Sequence, residues 1–328
     1  MTPVLAELSA LPNAARDVVE SASRQGMRWA VIAWERGAQS GFHIVGDGPP
    51  GPQAHLRLAS LSKLVIGLIH ADLKAQGTLS DETRAADLLP EYANALANVT
   101  LGDLAAHGTG FRDALHDPRF RAEVNADIDA PQDIARVIDA SLALSHATTV
   151  PSYANINAIL LSLCIERATG RTFAVLAAER LPRLTTLAFP TDGHLPTPRW
   201  RGNRLGLAPG RVEYGSTLFD ATDHSAAWAG HAGTGVLAAG ETPLFYKDVL
   251  QPLIALTPRP VGAAQSWANL LCFDGSVAFH DGDVTGYSAW TGMDLESGAA
   301  LFVAVGLSWS PELGNPAGAI ARATLAQL

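Results

Sequence analysis

Strand-like segments lie at both ends of this 328-residue chain, and helix-like segments occupy its middle. The segments typical of β-strands are residues 27–37 and 41–46 near the start, and residues 276–280, 286–295 and 299–309 near the end. The segments with a helical spacing of apolar residues include residues 101–108, 133–144 and 155–170. If the two ends form one sheet, the helical middle is an insertion into it, and the fold is α/β (α+β).

This arrangement predicts two interleaved domains rather than two consecutive ones. We expect an α/β sheet domain made of residues 1–62 and 240–328 and a mainly helical inserted domain of residues 63–239, with the active site between them. Helices near residues 3–25 and 316–327 begin and end the chain. The stretch 183–220, rich in Pro, Gly, Arg and Thr, predicts a long ordered connection that lines a site.

Composition and charge argue against several classes of partner. Hydrophobic residues make up 48% and charged residues 17% of the chain, which is typical of a folded core rather than of disorder. The net charge is −9 and the 23 basic residues are scattered, so we expect neither nucleic acid nor an anionic membrane as a partner. No stretch reaches about 18 consecutive apolar residues, so no transmembrane helix is expected.

The first residues and the two cysteines bear on location and cofactors. Residues 1–26 carry no basic segment followed by an apolar run of signal-peptide length, and Glu7 interrupts them early.

Cys164 and Cys272 lie in apolar runs, which is typical of buried thiols rather than of a disulfide or metal site. We therefore expect a cytoplasmic protein without a metal or cofactor.

A serine and a lysine at the predicted start of a helix are the candidate reactive groups. The stretch RLASLSKL at residues 57–64 places Lys63 three positions after Ser60. Positions i and i+3 share a helix face, so the lysine can take the serine proton if it is neutral. The chain has three lysines and 19 serines, so this spacing is expected about 0.2 times by chance. On these residues alone, a capping serine with a solvated lysine is an equal alternative. Ser62 competes as nucleophile but lacks a lysine at i+3.

The longer stretch LRLASLSKL resembles the S-x-x-K box of serine β-lactamases and penicillin-binding proteins. More narrowly, it is similar to the class C β-lactamase group, whose relatives include D-stereospecific peptidases and β-lactamase-fold carboxylesterases. The resemblance runs from about residue 27 to the end of the chain. It implies a β-lactamase/transpeptidase-like fold, with an antiparallel sheet flanked by N- and C-terminal helices and an inserted helical region.

The second box of that group, Y-x-N, has two candidates in this chain. They are Tyr92 with Asn94 and Tyr153 with Asn155. The family places an LGDLLxHxSG-like segment before this box, and LGDLAAHGTGF at residues 101–111 resembles it. The resemblance therefore assigns Tyr153 and Asn155, and Tyr92 is expected to be structural.

The third box, K-T-G or H-x-G, also has two candidates. They are His231 with Gly233 and His280 with Gly282. The stretch AFHDGDVTGYSAW at residues 278–290 resembles the family's GHTGxTGxS followed by two long strands. The resemblance therefore assigns His280 and Gly282. His231 is expected to shape the wall of the site, with a direct role as the alternative.

These assignments imply an acyl-enzyme mechanism. Ser60 attacks a carbonyl, while Lys63 and Tyr153 share the role of base and return the proton to the leaving group. Asn155 is expected to hydrogen-bond Lys63 or a substrate amide. The backbone N–H groups of Ser60 and Asp283 are expected to hold the oxyanion.

The third box also bears on the substrate. Gly282 would let the backbone approach the substrate closely. His280 stands where β-lactamases of this group carry a lysine, and Asp281 and Asp283 follow it. A neutral histidine beside two carboxylates disfavours anionic substrates. We therefore expect a serine hydrolase that cleaves an ester, or a small amide, of a neutral or cationic small molecule.

A carboxylesterase is the first hypothesis on these grounds. A D-stereospecific aminopeptidase or amidase, or a weak β-lactamase, is the alternative within the class. An acyltransferase uses the same residues, and a catalytically inactive binding protein would share the same fold.

Overall fold

The computed structural model describes residues 13–46, 51–144, 152–205, 218–258 and 265–328. Residues 3–12 of the predicted first helix, and residues 206–217 of the predicted long connection, lie outside the described residues. In the described part of the chain, no helix has the length and apolar character needed to cross a membrane.

A seven-stranded antiparallel sheet forms the centre of the fold, in the order β2-β1-β11-β10-β9-β8-β7. Its strands are β1 (Trp29–Arg36), β2 (Gln39–Gly46), β7 (Gln265–Ala268), β8 (Leu271–Asp274), β9 (Val277–Val284), β10 (Tyr287–Asp294) and β11 (Ala300–Val305). Strand β1 pairs with β11, so that Ala30 lies opposite Val305. The prediction that both ends of the chain contribute to one antiparallel sheet is confirmed.

Two strands of this sheet were not expected from the sequence. Strands β7 and β8 form a hairpin whose two-residue turn is Asn269 and Leu270. Both turn residues have positive φ, 46° and 60°. A tight hairpin turn of this kind normally carries Asn-Gly, and leucine rarely adopts this conformation, so the usual turn signal is missing.

Eleven α-helices surround the sheet in the described residues. They are α1 (Asn13–Arg24), α2 (Ser62–Ala75), α3 (Ala85–Leu88), α4 (Leu101–Ala105), α5 (Pro118–Ala126), α6 (Ile134–Leu144), α7 (Asn155–Thr169), α8 (Phe173–Arg180), α9 (Thr242–Phe245), α10 (Gln251–Leu256) and α11 (Pro316–Leu325). One π-helical turn, Tyr246–Leu250, connects α9 to α10.

The two faces of the sheet pack against different helices, because side chains alternate between faces along a strand. On one face, Ile32 and Val303 pack with Val19 of α1 and Ile320 of α11. The opposite face, which includes Val31 of β1, joins the larger core formed with the inserted helices. The terminal helices therefore cover one face and the inserted helical region covers the other. The division into domains at residues 62 and 240 stays a prediction.

Helix α2 lies in the centre of the larger core. Residues 62 to 71 of this helix are buried on every side, including Lys63. A helix that is apolar all round is an interior helix. Strand β3 (His55–Arg57), which leads into α2, pairs with β6 (Val236–Ala238), and a second short pair joins β4 (Asn203–Leu205) to β5 (Leu218–Asp220). The β3–β6 pair brings the chain around Ser60 close to residues 227–235.

Candidate active site

Ser60 lies in a single 3₁₀ turn, Ala59–Leu61, between strand β3 and helix α2. The preceding residue, Ala59, has a φ of 49°, a left-handed conformation that alanine adopts only at an energetic cost. This strained turn precedes the helix and leaves Ser60 partly exposed. Strain of this kind is typical of residues held in place for function rather than for stability.

Three oxygen atoms surround the amine of Lys63. Its Nζ lies 2.8 Å from Ser60 Oγ, 2.8 Å from Asn155 Oδ1 and 3.0 Å from the carbonyl oxygen of Ala232. An amide oxygen and a backbone carbonyl can only accept hydrogen bonds. A neutral amine has two N–H groups for these two oxygens, and its lone pair then points to the Ser60 hydroxyl.

Burial brings the charge state of Lys63 into the range of neutral pH. The side chain is fully buried. Burial lowers the pKa of Lys63 to about 7, although the negative charges of Asp113 and Asp281 oppose this shift. A substantial share of the protein therefore holds Lys63 as a neutral amine at physiological pH, the form that can accept a proton.

Tyr153 reaches the same serine from the other side. Its hydroxyl donates to Ser60 Oγ at 2.9 Å, and Asn155 Oδ1 lies 3.4 Å from the same hydroxyl. The rings of His107 and Trp267 pack against it at 4.6 and 5.4 Å between centroids. Although 37% of the residue is exposed to the cleft, the surrounding atoms desolvate the hydroxyl and raise the pKa of Tyr153 far above its ordinary value. Tyr153 is therefore a neutral hydrogen-bond donor to the serine.

Asp113 fixes the orientation of Asn155 at the start of helix α7. Its carboxylate accepts hydrogen bonds from the Asn155 backbone N–H at 3.0 Å, the Asn155 side-chain amide at 2.9 Å and the Ile156 N–H at 2.9 Å. Because the Asn155 NH₂ group is held by Asp113, its oxygen must face Lys63. The same carboxylate satisfies free N–H groups of the first helical turn.

Ser62, the competing serine, is occupied by structural hydrogen bonds. It is fully buried, donates to the carbonyl of Ala59 at 2.6 Å and accepts from the N–H of Gly235 at 3.0 Å. The geometry therefore places Ser60, and not Ser62, beside the lysine.

His280 and Gly282 lie on β9, next to the serine turn. A Cβ on Gly282 would lie 2.7 Å from the Leu58 carbonyl oxygen and 3.0 Å from the Ser60 nitrogen, so only glycine fits here. The His280 ring is fully buried and meets the Tyr153 ring edge-on at 5.9 Å. Burial, and to a smaller extent the charge of Lys63, lowers the pKa of His280 to about 3. His280 is therefore a neutral group that packs behind Tyr153.

The serine opens into a cleft of about 320 Å³. Trp228 and Trp267 form apolar walls, and the strand β9 contributes Asp281 and Asp283 to the lining. The Trp309 N–H donates to Asp283 Oδ2 at 2.7 Å. Desolvation in the cleft raises the pKa of both carboxyls, and for Asp283 the charge of Asp281 adds to this shift. The cleft is thus aromatic and acidic.

The two rejected motif candidates lie elsewhere. Tyr92 ends a 3₁₀ turn, Pro90–Tyr92, and packs against the larger core. The His231 ring stacks on Phe173 at 4.7 Å, with its Nδ1 3.2 Å from Ser162 Oγ. The contact with the site comes from the next residue, Ala232, whose carbonyl accepts from Lys63.

Sequence reasoning missed Asp113, His107, Trp228 and Trp267 at this site. His107 lies within the LGDLAAHGTGF segment and Asp113 follows it. The resemblance of this segment to the family indicates only the order of the boxes. His107 Nδ1 lies 3.4 Å from the Ala154 N–H and 3.2 Å from the Asn157 amide, which fixes its ring against Tyr153. The two tryptophans carry no motif, so only the fold shows that they face the serine.

A comparison with family models covers nearly the whole chain. The family model described as Beta-lactamase matches residues 11–310. This chain belongs to the beta-lactamase family. It is a serine hydrolase of that family, and the predicted β-lactamase/transpeptidase-like fold is confirmed. A search of curated proteins finds no match.

Solved structures with the same fold include amidases and a β-lactamase. A D-stereospecific amidohydrolase from Streptomyces sp. superposes with a TM-score of 0.79 at 19% identity, covering 96% of this chain and 98% of that one. The D-amino acid amidase from Ochrobactrum anthropi SV3, in complex with L-phenylalanine, gives 0.75 at 18% identity, with the same coverage. A class C beta lactamase from Rhodobacter sphaeroides gives 0.68 at 16% identity, covering 96% and 99%. At these identities the likeness concerns the fold.

Proposed function

We propose that this family member cleaves an ester or a small amide of a neutral or cationic small molecule through an acyl-enzyme on Ser60. One observation carries the proposal. The Ser60 hydroxyl lies within hydrogen-bond distance of both Lys63 Nζ, at 2.8 Å, and Tyr153 Oη, at 2.9 Å. A serine with two such partners is the arrangement needed for a nucleophile whose proton must move during the reaction.

In the proposed acylation step, neutral Lys63 takes the proton of Ser60 while Oγ forms a bond to the substrate carbonyl carbon. The carbonyl π electrons move to oxygen, and the N–H groups of Ser60 and Asp283 are the proposed donors to this oxyanion. When the carbonyl re-forms, Tyr153 gives its proton to the leaving group, which departs, and the protonated Lys63 then returns a proton to Tyr153. A water molecule attacks the acyl-enzyme by the same steps and releases the carboxylic acid.

Lys63 rather than Tyr153 is the better base in this proposal. Burial lowers the pKa of the lysine to about 7, whereas desolvation raises the pKa of the tyrosine far above its ordinary value. A base is effective when its pKa lies near the working pH. Tyr153 is then a proton relay to the leaving group, a refinement of the shared role expected from the sequence.

The lining of the cleft supports a substrate without negative charge. Asp281 and Asp283 line it together with two tryptophans. Within the described residues, the ion pairs found at 4 Å or less involve neither of these carboxyls. A carboxyl near a cleft repels anions when it is ionised, and tryptophan faces attract cations. This charge pattern is unfavourable for β-lactam antibiotics that carry a carboxylate.

The choice between ester and amide defines two versions of the proposal. A carboxylesterase is the first version, since esters have the more reactive carbonyl. Hydrolysis of amino acid amides is the second, and the acidic cleft favours it, because such a substrate carries an ammonium group near the scissile bond. The D-amino acid amidase of O. anthropi, determined with L-phenylalanine amide, has the same fold at 18% identity.

A substrate panel tests these versions. It contains p-nitrophenyl acetate and butyrate, the p-nitroanilides of D- and L-alanine and D- and L-phenylalanine, and nitrocefin. We expect kcat/KM to be highest for the esters in the first version and for one enantiomer of the anilides in the second. A higher kcat/KM for nitrocefin than for both the short esters and the anilides would contradict both versions.

Intact-mass spectrometry after treatment with a fluorophosphonate tests the acyl-enzyme itself. We expect one adduct on Ser60 in the wild type and none in the Ser60→Ala variant. A folded wild-type protein that forms no adduct would instead support a binding protein. Adding an alcohol or amine acceptor and analysing the products distinguishes hydrolysis from acyl transfer.

The charge preference is tested by Asp281→Asn, with Asp274→Asn on the exposed end of β8 as the matched control. The measurement compares kcat/KM for an amino acid ester with that for its deaminated analogue. We expect Asp281→Asn to lower the preference for the cationic ester about tenfold, the effect of roughly 1.4 kcal/mol, and the control to leave it unchanged. Equal preference in wild type and Asp281→Asn would refute charge selection by this residue.

A further inference from the structure

A second cavity lies on the other side of the segment Ala227–Ala232 from the catalytic cleft. Its volume is about 310 Å³, and Ala227, Gly230 and His231 of that segment line it. Trp228, Ala229 and Gly233 line the cleft that holds Ser60. The segment changes direction at Gly230, whose φ of 49° and ψ of −150° interrupt the 3₁₀ turns. One stretch of chain therefore separates two cavities that share no lining residue.

Apolar side chains line the second cavity together with the polar residues Gln132, Asp133, Ser162, Thr191, His231 and Thr234. Helix α6 contributes Ile134, helix α7 contributes Ile159 and Leu163, and the connection before β4 contributes Phe189. Cavities of a few hundred Å³ with apolar walls and few polar groups are typical of small-molecule sites. An apolar cavity of about 150 Å³ already holds benzene. The second cavity therefore has room for a bicyclic aromatic molecule.

Hydrogen bonds fix the orientation of His231, one of the polar groups in this wall. Ser162 donates its hydroxyl proton to the Ile159 carbonyl at 2.8 Å, so its oxygen is left to accept. His231 Nδ1, 3.2 Å away, is then the donor to this oxygen. The ring also stacks on Phe173 at 4.7 Å. The Nε2 atom consequently carries a lone pair and accepts hydrogen bonds.

The neutral form of His231 is favoured by its surroundings. Burial lowers the pKa of His231 below its ordinary value, and the charge of Glu166 only partly opposes this. The hydrogen bond to Ser162 then determines which ring nitrogen holds the single proton. A bound molecule would meet an acceptor in this wall and not a positive charge.

We propose that the second cavity binds a small neutral aromatic molecule whose N–H or O–H group donates to His231 Nε2. The site is distinct from the cleft that holds Ser60, and the binding measurements that test it do not depend on the proposed hydrolysis. Indole serves as the probe because it is bicyclic, neutral and carries one N–H donor. Its analogue 1-methylindole has nearly the same shape and no donor.

Isothermal titration calorimetry on the full chain measures the two affinities in wild type and in His231→Phe, which keeps a ring against Phe173. We expect indole to bind wild type about three- to tenfold more tightly than 1-methylindole, the effect of one neutral hydrogen bond. In His231→Phe we expect the two probes to bind equally. A preference for indole that survives in His231→Phe would overturn the role of the histidine.

The location of the probe is tested by filling the cavity with Leu163→Trp, and Val175→Trp is the matched control because Val175 is 45% exposed on α8. We expect the first variant to lose indole binding at least tenfold and the second to bind as wild type does, with the melting temperature of each recorded. Unchanged binding in folded Leu163→Trp would overturn the proposal. Competition of indole with the ester substrate, seen as a raised KM, would place the probe in the catalytic cleft and also overturn it.

Discussion

Replacing Asp113 with Asn removes a negative charge that the structure places one amide group away from Lys63. The carboxylate accepts from the Asn155 side-chain nitrogen at 2.9 Å, and the Asn155 oxygen lies 2.8 Å from Lys63 Nζ. The nitrogen and oxygen of an amide are about 2.2 Å apart from standard bond lengths. The charge of Asp113 therefore lies at most about 8 Å from the amine.

This separation gives the size of the expected effect. Two unit charges about 8 Å apart interact by roughly 2 kcal/mol at an effective dielectric constant near 20. Because one pKa unit corresponds to about 1.36 kcal/mol, losing this charge lowers the pKa of Lys63 by about 1.5 units. The sign follows from the chemistry: Asp113 stabilises the protonated amine, so without it Lys63 is neutral at a lower pH.

The assay is the pH dependence of kcat/KM for a neutral ester, whose acid limb reports the base of the free enzyme. In wild type we expect activity to rise with pH through about 7, where Lys63 loses its proton. In Asp113→Asn we expect this rise about 1.5 pH units lower, with a lower plateau, because Asn155 loses part of its anchoring.

Asp117→Asn is the matched control for this experiment. Asp117 also caps a helix, accepting from the Arg119 N–H at 2.8 Å, but it is only half-buried, whereas Asp113 is buried. We expect its acid limb to match that of wild type. If Asp113→Asn lowers the plateau without moving the acid limb, then Asp113 has only a structural role and the electrostatic reasoning is wrong.

The other groups around the serine give three further predictions. Ser60→Ala is expected to lower kcat about 10⁴- to 10⁶-fold, whereas Ser62→Ala retains activity and loses about 1–3 kcal/mol of unfolding free energy, measured by urea denaturation. Lys63→Arg is expected to lower kcat/KM about 10²- to 10⁴-fold, since a guanidinium cannot accept the proton; activity near wild type would exclude the lysine as base. Gly282→Ala is expected to lower kcat/KM about 10²-fold by displacing the serine turn, whereas Gly108→Ala, whose Cβ would meet its nearest atom at 3.5 Å, serves as the unaffected control.

The parts of the site that depend on local spacing were predictable from the sequence. Ser60 and Lys63 lie three residues apart, and one helical turn brings them together whatever the rest of the chain does. Tyr153 and Asn155 needed the family resemblance, because Tyr92 and Asn94 have the same spacing. The structure brings Tyr153 and Asn155 to the serine, and their catalytic roles stay predictions.

The parts that depend on long-range packing were not predictable. Asp113 contacts Asn155 across 42 positions of sequence, and a lone aspartate in a loop gives no sign of its partner. The strands β7 and β8 were missed because Leu270 occupies a turn position with a φ of 60° that sequence rules reserve for glycine. In both cases tertiary contacts outweigh the local preference.

The pairing of β1 with β11 also constrains how this protein can be synthesised. Ala30 and Val305 lie opposite each other on two neighbouring strands of the sheet. At a synthesis rate of about 5–20 residues per second, roughly 15 to 55 s pass between the synthesis of β1 and that of β11. During that time the β1–β2 hairpin presents an open, apolar edge, the kind of edge that pairs with other chains. The nascent protein is therefore expected to depend on chaperones until its last strand has been made, and its C-terminal residues control when folding can be completed.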